Sequence, residues 1–347
     1  MERIAVFRAL QLGDMLCAVP ALSALRAAWP SAHIALIGLP WARAFAERYP
    51  MLVDELIVFP GAPGFPEQSE EGHGLPGFFA DARRRDFDLA IQLHGSGGVA
   101  NDIVLGLGAR SNAGFVQPGE ARRGCFMPWP ERGRETERCL ALFRYMGLVP
   151  ETPPMWLPLG RADLEECEAA LRRFGAHRAE IAIVHAGAQL ASRRWPAERF
   201  GAVADALAAL GLTVALTGVA AEAPIAAAVR RAMTHPALDL TGALSIGGLA
   251  ALIERATLTV CNDTGISHIA AALGAPSLVI ASGSDTRRWA PADGERHRVL
   301  AHYPACRPCM HRVCPYGHEC ALGVSAGEAI AAARLQLRLH RKELHAA

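Results

Sequence analysis

Lysine is all but missing from this chain: Lys342 is the single one among 35 basic residues, so every other cation of that kind is an arginine. A bias of this sort follows genome composition, and it weakens any argument that rests on one arginine alone. Net charge is missing too. The 35 basic residues nearly cancel 34 acidic ones, which speaks against a dedicated nucleic-acid binder. A membrane span is also lacking. The longest apolar stretch, Ile269 to Ala281, is broken by Gly274 and Pro276 and is too short to cross a bilayer. Glu2 and Arg3 lead straight into a strand pattern, so no signal peptide is expected and a soluble, cytoplasmic protein is. In that compartment nine cysteines point to thiols or a metal site more than to disulfides.

At 347 residues, 51% of them hydrophobic, the chain has material for two α/β domains. Short apolar runs at 3–8, 33–38, 55–59 and 87–93 alternate with helical patterns at 14–28, 41–49, 98–107 and 134–146. The segment 61–77, rich in Gly, Pro and acid, reads as a long mobile loop. "VPETPPMWLP" (149–158) reads as a linker. Strands at 180–185, 212–217, 257–261 and 277–281 then alternate with helices at 161–174, 197–210, 221–232, 246–254 and 265–273. The expectation is an α/β protein of two doubly wound, Rossmann-like domains, 1–150 and 151–330, with a ligand in the cleft between them. A C-terminal helix, 331–347, follows.

Two strand-to-helix junctions in the second half suit an anion. In "VCNDTGISHIAAALGAP" Asp263 or Thr264 can cap a helix whose first amides, at Thr264, Gly265 and Ile266, remain free. In "VHAGAQLASRRWPAERF" Gly187 ends a strand, and Arg193 and Arg194 stand just ahead of the next helix. The first half departs from this pattern. Where many nucleotide-binding folds carry a glycine-rich loop, "LQLGDML" places Gly13 and Asp14, and a carboxylate there would repel a phosphate.

"LQLGDML", "HAGAQLASRRWP", "LTGVAAE" and "CNDTGISHIAAALGAP", in that order, resemble the family 9 glycosyltransferases, the lipopolysaccharide heptosyltransferases. The resemblance runs from residue 3 to about 330. It implies a GT-B fold and an inverting transfer from ADP-heptose to a lipopolysaccharide inner-core acceptor at the cytoplasmic face of the inner membrane, with no cofactor required. It also gives Asp14 a task, since this aspartate matches the base that deprotonates the acceptor hydroxyl. Arg193 stands where the family has a lysine, and its fork is bulkier and bidentate. By the same resemblance Glu222 meets the ribose, Asp263 lies near the donor sugar, and Thr264 and Gly265 offer amides to the diphosphate. Leu244 covers the adenine, while Gly187, Ala188 and His268 complete the donor set. His94, Ser96 and Asn101 of "LHGSGGVAND" face the acceptor, and the arginines at 83–85 and 122–123 are further contacts for acidic sugars or phosphates. A protein acceptor, another nucleotide sugar, and a catalytically silent sugar-nucleotide-binding protein stay open as alternatives.

"CRPCMHRVCPYGHEC" carries Cys306, Cys309, Cys314 and Cys320 at C-x2-C-x4-C-x5-C, a spacing that suits a closed tetrahedral zinc or iron site. Related autotransporter heptosyltransferases carry an iron-binding cysteine finger, in keeping with a structural metal here. In the tail, Leu335 and Leu339 lie four apart beside Arg334, Arg338, Arg341 and Lys342. This reads as a helix packing toward the first domain with a basic face left for lipid.

Overall fold

The structure, a computed structural model, describes all residues except 66, 68–73, 149–152 and 347, and the side chains of 341–346. It divides into two units, Met1–Pro158 and Leu159–Ala347. The division falls at the end of the proline-rich segment because Trp156 is anchored to the first unit. Its ring lies edge-on to Tyr49 at 5.0 Å, and its carbonyl accepts from the Tyr49 hydroxyl at 2.6 Å. Residues 149–152 of the expected linker, and residues 66 and 68–73 of the loop expected to be mobile, lie outside the described residues.

The first unit carries strands β1 (Arg3–Phe7), β2 (His33–Gly38), β3 (Glu55–Val58), β4 (Leu89–Gln92), β5 (Ser111–Val116) and β6 (Cys125–Pro128). Its helices are α1 (Leu12–Ala28), α2 (Ala42–Arg48), α3 (Leu75–Arg84), α4 (Val99–Gly106) and α5 (Glu135–Tyr145). The strands form one parallel sheet in the order β3-β2-β1-β4-β5-β6. Central β1 is buried from Ile4 to Phe7, as a parallel strand covered on both faces must be. Register is set by Ile4, which pairs with Ile34 on one side and Leu89 on the other. The 61–77 segment is more ordered than expected at its described ends. Phe65 is buried against Phe7 and Phe59, and α3 begins at Leu75 with Pro76 in its first turn.

The second unit repeats the plan with β7 (Ile181–His185), β8 (Thr213–Leu216), β9 (Leu238–Asp239), β10 (Leu258–Asn262), β11 (Ser277–Ala281) and β12 (His297–Ala301). Helices α6 (Arg161–Arg173), α7 (Ala197–Ala208), α8 (Ala223–Ala232), α9 (Ile246–Arg255), α10 (Gly265–Leu273), α11 (Thr286–Trp289), α12 (Glu319–Leu322) and α13 (Ala326–Ala346) complete it. The parallel order β12-β11-β10-β7-β8-β9 is the first unit's order again. In each sheet the strand order reverses between two central strands, β1 and β4 in one, β7 and β10 in the other. Loops leaving the carboxyl ends of those strands diverge there and leave room for a ligand.

Helix α13 packs on its own unit. Ala329, Ala332, Ala333 and Leu337 join the core formed with α7 and the central strands, and Gln336 bonds the carbonyls of Glu295 and Arg296. Leu337 is buried while Leu339 is exposed and Leu335 half-buried, so the packed face is not the expected one through Leu335 and Leu339. Alanines at this helical spacing let the helix approach closely, and that sets its rotation. Arg334 and Arg338 are exposed; Arg341 and Lys342 lie outside the described side chains. No helix among the described residues is long and apolar enough to cross a membrane.

Candidate active site

In the first unit the chain leaves β1 through Arg8 and enters α1 at Leu12. Gln11 holds the N-cap position without a side-chain cap, and Asp14 sits in the first turn, half-buried. Asp14 therefore does not hold the N-cap position, and as an acidic residue of the first turn it suits the positive end of the helix dipole. What fixes this turn is Arg8, a residue to which the sequence alone gave no role. Arg8 is 1% exposed, and its Nε and Nη2 donate to the Asp14 carbonyl at 3.0 and 2.7 Å. Nη1 donates to the carbonyl of Leu93 at the end of β4, and Nη2 also meets Glu135 Oε1 at 3.2 Å in a buried ion pair. One guanidinium thus ties both central strand ends to the start of α5. Burial alone would lower the Arg8 pKa, but Cys139, Glu135, Asp14 and Cys17 around it outweigh that and raise it, so it stays charged. The clue available was a charged residue interrupting an apolar run.

His94 lies where it was expected, on the loop after β4. Its Nδ1 accepts from Ala9 N at 3.2 Å, and its ring packs against Phe65 and Phe7 at 4.6 and 5.4 Å. Ser96 is half-buried, and its hydroxyl accepts from Gln117 Nε2 at 2.6 Å. Asn101 departs from expectation. It is fully buried in α4, and its amide donates to the Phe115 carbonyl at 2.9 Å, so it serves packing rather than an acceptor face. The arginine clusters are largely engaged in ion pairs: Arg84 with Asp81, Arg85 with Glu55, and Arg122 with Glu120 and Asp102.

In the second unit the loops after β7 and β10 are stitched by Asn262, another residue the sequence did not single out. Its Oδ1 accepts from Trp195 N at 3.0 Å, and its Nδ2 donates to the Ala186 and Gly187 carbonyls at 2.8 and 3.3 Å. Trp195 is buried and donates to the Val324 carbonyl, so the "RRWP" block is an anchor as well as a source of cations. Arg194 Nε donates to the carbonyl of buried Ala188. Gly187 leaves the space in which the Glu222 carboxylate lies, since a Cβ there would fall 2.2 Å from it. Glu222 is also held by Val219 N at 3.0 Å and lies 3.7 Å from Nε2 of His185. His185 is buried and its pKa is lowered by that burial, with Glu222 opposing. The chain thus places a carboxylate beside a histidine at the end of β7.

Thr264 occupies the N-cap position of α10, with extended backbone and no side-chain cap, so no side chain claims the helix's first amides, beginning at Gly265. Asp263 accepts from the Ser284 hydroxyl. Leu244 is half-buried in the loop before α9. His268 is buried on α10 with its ring edge-on to Trp289, which is how a core histidine sits. Arg193 ends a short 3-10 turn, Ala191–Arg193; its Nη2 donates to the Cys309 carbonyl and its Nη1 lies 3.4 Å from the Ser282 carbonyl. Gly283, in the left-handed region at φ +70°, makes room for that guanidinium, since a Cβ there would meet Nη1 at 2.0 Å.

With this geometry in place, similarity to known proteins decides the family. Residues 78–319 match the family described as glycosyltransferase family 9 (heptosyltransferase). The chain belongs to that family. It is therefore a glycosyltransferase. Lipopolysaccharide heptosyltransferase 2 of Escherichia coli strain K12 is 26% identical over 307 residues, 83% of this chain and 85% of that protein. The crystal structure of a family 9 glycosyltransferase from Veillonella parvula DSM 2008 superposes with a TM-score of 0.80 at 22% identity, covering 97% of both chains. A dodecameric iron-containing heptosyltransferase, TibC, in complex with ADP-D-β-D-heptose superposes at 0.58 with 13% identity, covering 98% of this chain and 77% of that one. The fold of this family 9 member is GT-B, two Rossmann-like units.

The cysteines of this glycosyltransferase are not arranged as a ligand set. Among the described residues no three His, Cys, Asp or Glu side chains stand together as ligands of an ion. Cys309 and Cys314 lie near enough to Cys320 to act on its thiol, and each of those two has a further contact. Cys309 Sγ lies 3.6 Å from Arg193 Nη1, Cys314 Sγ accepts from Tyr316 N at 3.4 Å, and Cys320 is buried at the start of α12. Burial pushes the Cys320 thiol pKa up. Cys306 is half-buried. His318 Nε2 meets the Ser192 carbonyl at 3.0 Å, and the Ser192 amide and hydroxyl bond the carbonyls of Arg312 and His311. The segment is laced onto the "SRR" turn.

Proposed function

We propose that this glycosyltransferase moves heptose, with inversion, from ADP-heptose to a lipopolysaccharide inner-core acceptor. The observation that carries the reading is an electrostatic division between the two strand-order reversals. The first presents the carboxylate of Asp14. The second presents an uncapped helix N-terminus together with Arg193, Arg194 and Arg307, whose hydrogen bonds among the described residues go to carbonyls or a thiol and never to a carboxylate. In the reaction Asp14 takes the acceptor hydroxyl proton as that oxygen attacks the anomeric carbon. The carbon–oxygen bond to ADP breaks, and the charge on the leaving diphosphate is met by Arg193 and the amides of Thr264 and Gly265. Glu222 and His185 receive the ribose, Leu244 lies against the adenine, and Asp263 contacts the sugar. No cofactor takes part in these steps. The complex of the iron-containing relative with ADP-D-β-D-heptose supports this choice of donor.

The acceptor is a lipid-linked core precursor, which places the enzyme at the cytoplasmic face of the inner membrane. Exposed Arg334, Arg338 and Leu339 on α13 suit such peripheral contact. Turnover of ADP-heptose, and of other nucleotide sugars, against truncated core acceptors and a protein acceptor tests the reading. ADP release specific to ADP-heptose and a core acceptor is expected, and Arg334→Glu with Arg338→Glu should weaken liposome binding. Release with a different sugar nucleotide, or only with protein, would replace it.

A further inference from the structure

The cysteine-rich segment reaches the donor side of the second unit through one buried side chain. Arg307 is 7% exposed, with Nε donating to the Ser284 carbonyl at 2.8 Å and Nη1 to the His302 carbonyl at 2.6 Å. Its guanidinium lies 4.2 Å from the centre of the Tyr303 ring. The Ser284 hydroxyl in turn donates to Asp263. Two residues along, Cys309 N donates to the Gly283 carbonyl at 2.9 Å, and the Cys309 carbonyl accepts from Arg193. The turn Ser282–Gly283–Ser284 is therefore gripped by the same segment that holds the Arg193 head, and it carries the hydroxyl that holds Asp263.

A buried arginine that served only the fold would be expected against a carboxylate with its donors filled. Arg307 has no such partner among its hydrogen bonds, and its Nη2 is buried with none at all. Its pKa is lowered by burial, with Tyr303, Cys320 and Asp263 opposing and Arg193 adding a smaller push in the same direction as burial. A buried donor left without a partner is the kind of group a bound ligand completes.

We infer that Arg307 is a positioning residue of the donor site, its fork between the Ser284 and His302 carbonyls fixing the Ser282–Ser284 turn and, through it, Asp263 and Arg193. This rests on the proposed reading that Asp263 and Arg193 hold a nucleotide sugar. The role needs the planar fork, because a single ammonium cannot grip two carbonyls in that geometry.

Arg307→Lys, Ser284→Ala and the double variant test it, with melting temperature, ADP affinity by calorimetry and kcat/KM for ADP-heptose as readouts. Arg307→Lys keeps the charge, and Ser284→Ala removes the hydroxyl that donates to Asp263 while leaving the carbonyl that Arg307 holds. Each is expected to lower kcat/KM roughly tenfold, as small misplacements of binding groups do, with the melting temperature near that of the wild type. The double variant should fall little further than either single one, since both act through one turn. Wild-type kcat/KM in Arg307→Lys, losses that multiply in the double variant, or a loss that only tracks the melting temperature would each overturn the inference. If the wild type neither binds ADP nor turns over ADP-heptose, the donor reading fails and the inference falls with it. Normal wild-type behaviour with unaffected variants removes the inference alone.

Discussion

The two units use one strand order and place their candidate residues at the same two strand ends, yet they settle their charges in opposite ways. In the first unit the arginine at the reversal point is neutralised within the fold: Arg8 is buried against Glu135 and holds the backbone carbonyl of Asp14. At the second unit's reversal point Arg193, Arg194 and Arg307 bond, among the described residues, only carbonyls and a thiol, beside a helix start whose N-cap residue makes no side-chain cap. The difference is written in a few loop residues, and on the reading proposed above it suits the first unit to proton abstraction and the second to leaving-group stabilisation.

The largest effect should come from breaking the internal neutralisation. Glu135→Ala leaves Arg8 buried and without its ion pair, and urea unfolding should show a loss on the order of 3–5 kcal/mol. No comparable loss is expected from Arg193→Ala, and equal destabilisation by the two changes would erase the contrast. Next is Asp14→Asn, which should lower kcat about a hundredfold or more while ADP affinity by calorimetry stays unchanged. The mirror result is expected of Arg193→Ala, with ADP affinity down roughly thirtyfold through lost charge-assisted hydrogen bonds.

The smallest effect sharpens the comparison through pH. His297, buried in the second unit and bonded to Ser277, has its pKa lowered by burial from 6.5 to about 4. The folded state therefore prefers the neutral ring. Stability is fully present above the unfolded value and is lost as pH falls from there toward the folded one. Between pH 7 and pH 5.5 the loss should be about 1 kcal/mol, read as a fall in melting temperature that His297→Gln flattens. An unchanged slope in that variant would remove His297 as the cause.

Much of this plan was legible in the sequence because buried parallel strands read as unbroken apolar runs and their helices as periodic ones. "RIAVF", "HIALIG", "IAIVH" and "SLVIA" all fall in strands. What escaped notice was the edge strands β6, β9 and β12 and, next to β6, the strand β5. β6 and β9 are only four and two residues long, and β5, "SNAGFV", is apolar in its second half alone. Helix α3 was hidden by the Gly and Pro at its start, which mark a loop and a helix N-terminus equally well. The junctions carrying Asp14, Arg193 and Asp263 were legible as residues that follow a strand. Their partners were not. Arg8 meets Glu135, and Arg307 meets Ser284, across separations of 127 and 23 residues that no local pattern encodes. For the cysteines the spacing was legible, while the contact of Cys309 with Arg193, 116 residues away in the chain, was not.

The central claim is that the two units divide one inverting sugar transfer between them, and ADP release in the presence of ADP-heptose and a heptose-free core acceptor tests it most directly. Acceptor-dependent release, an inverted anomeric configuration in the isolated product, and loss of both in Asp14→Asn are the predicted result. Release that ignores the acceptor, a retained configuration, or undiminished turnover in Asp14→Asn would contradict it.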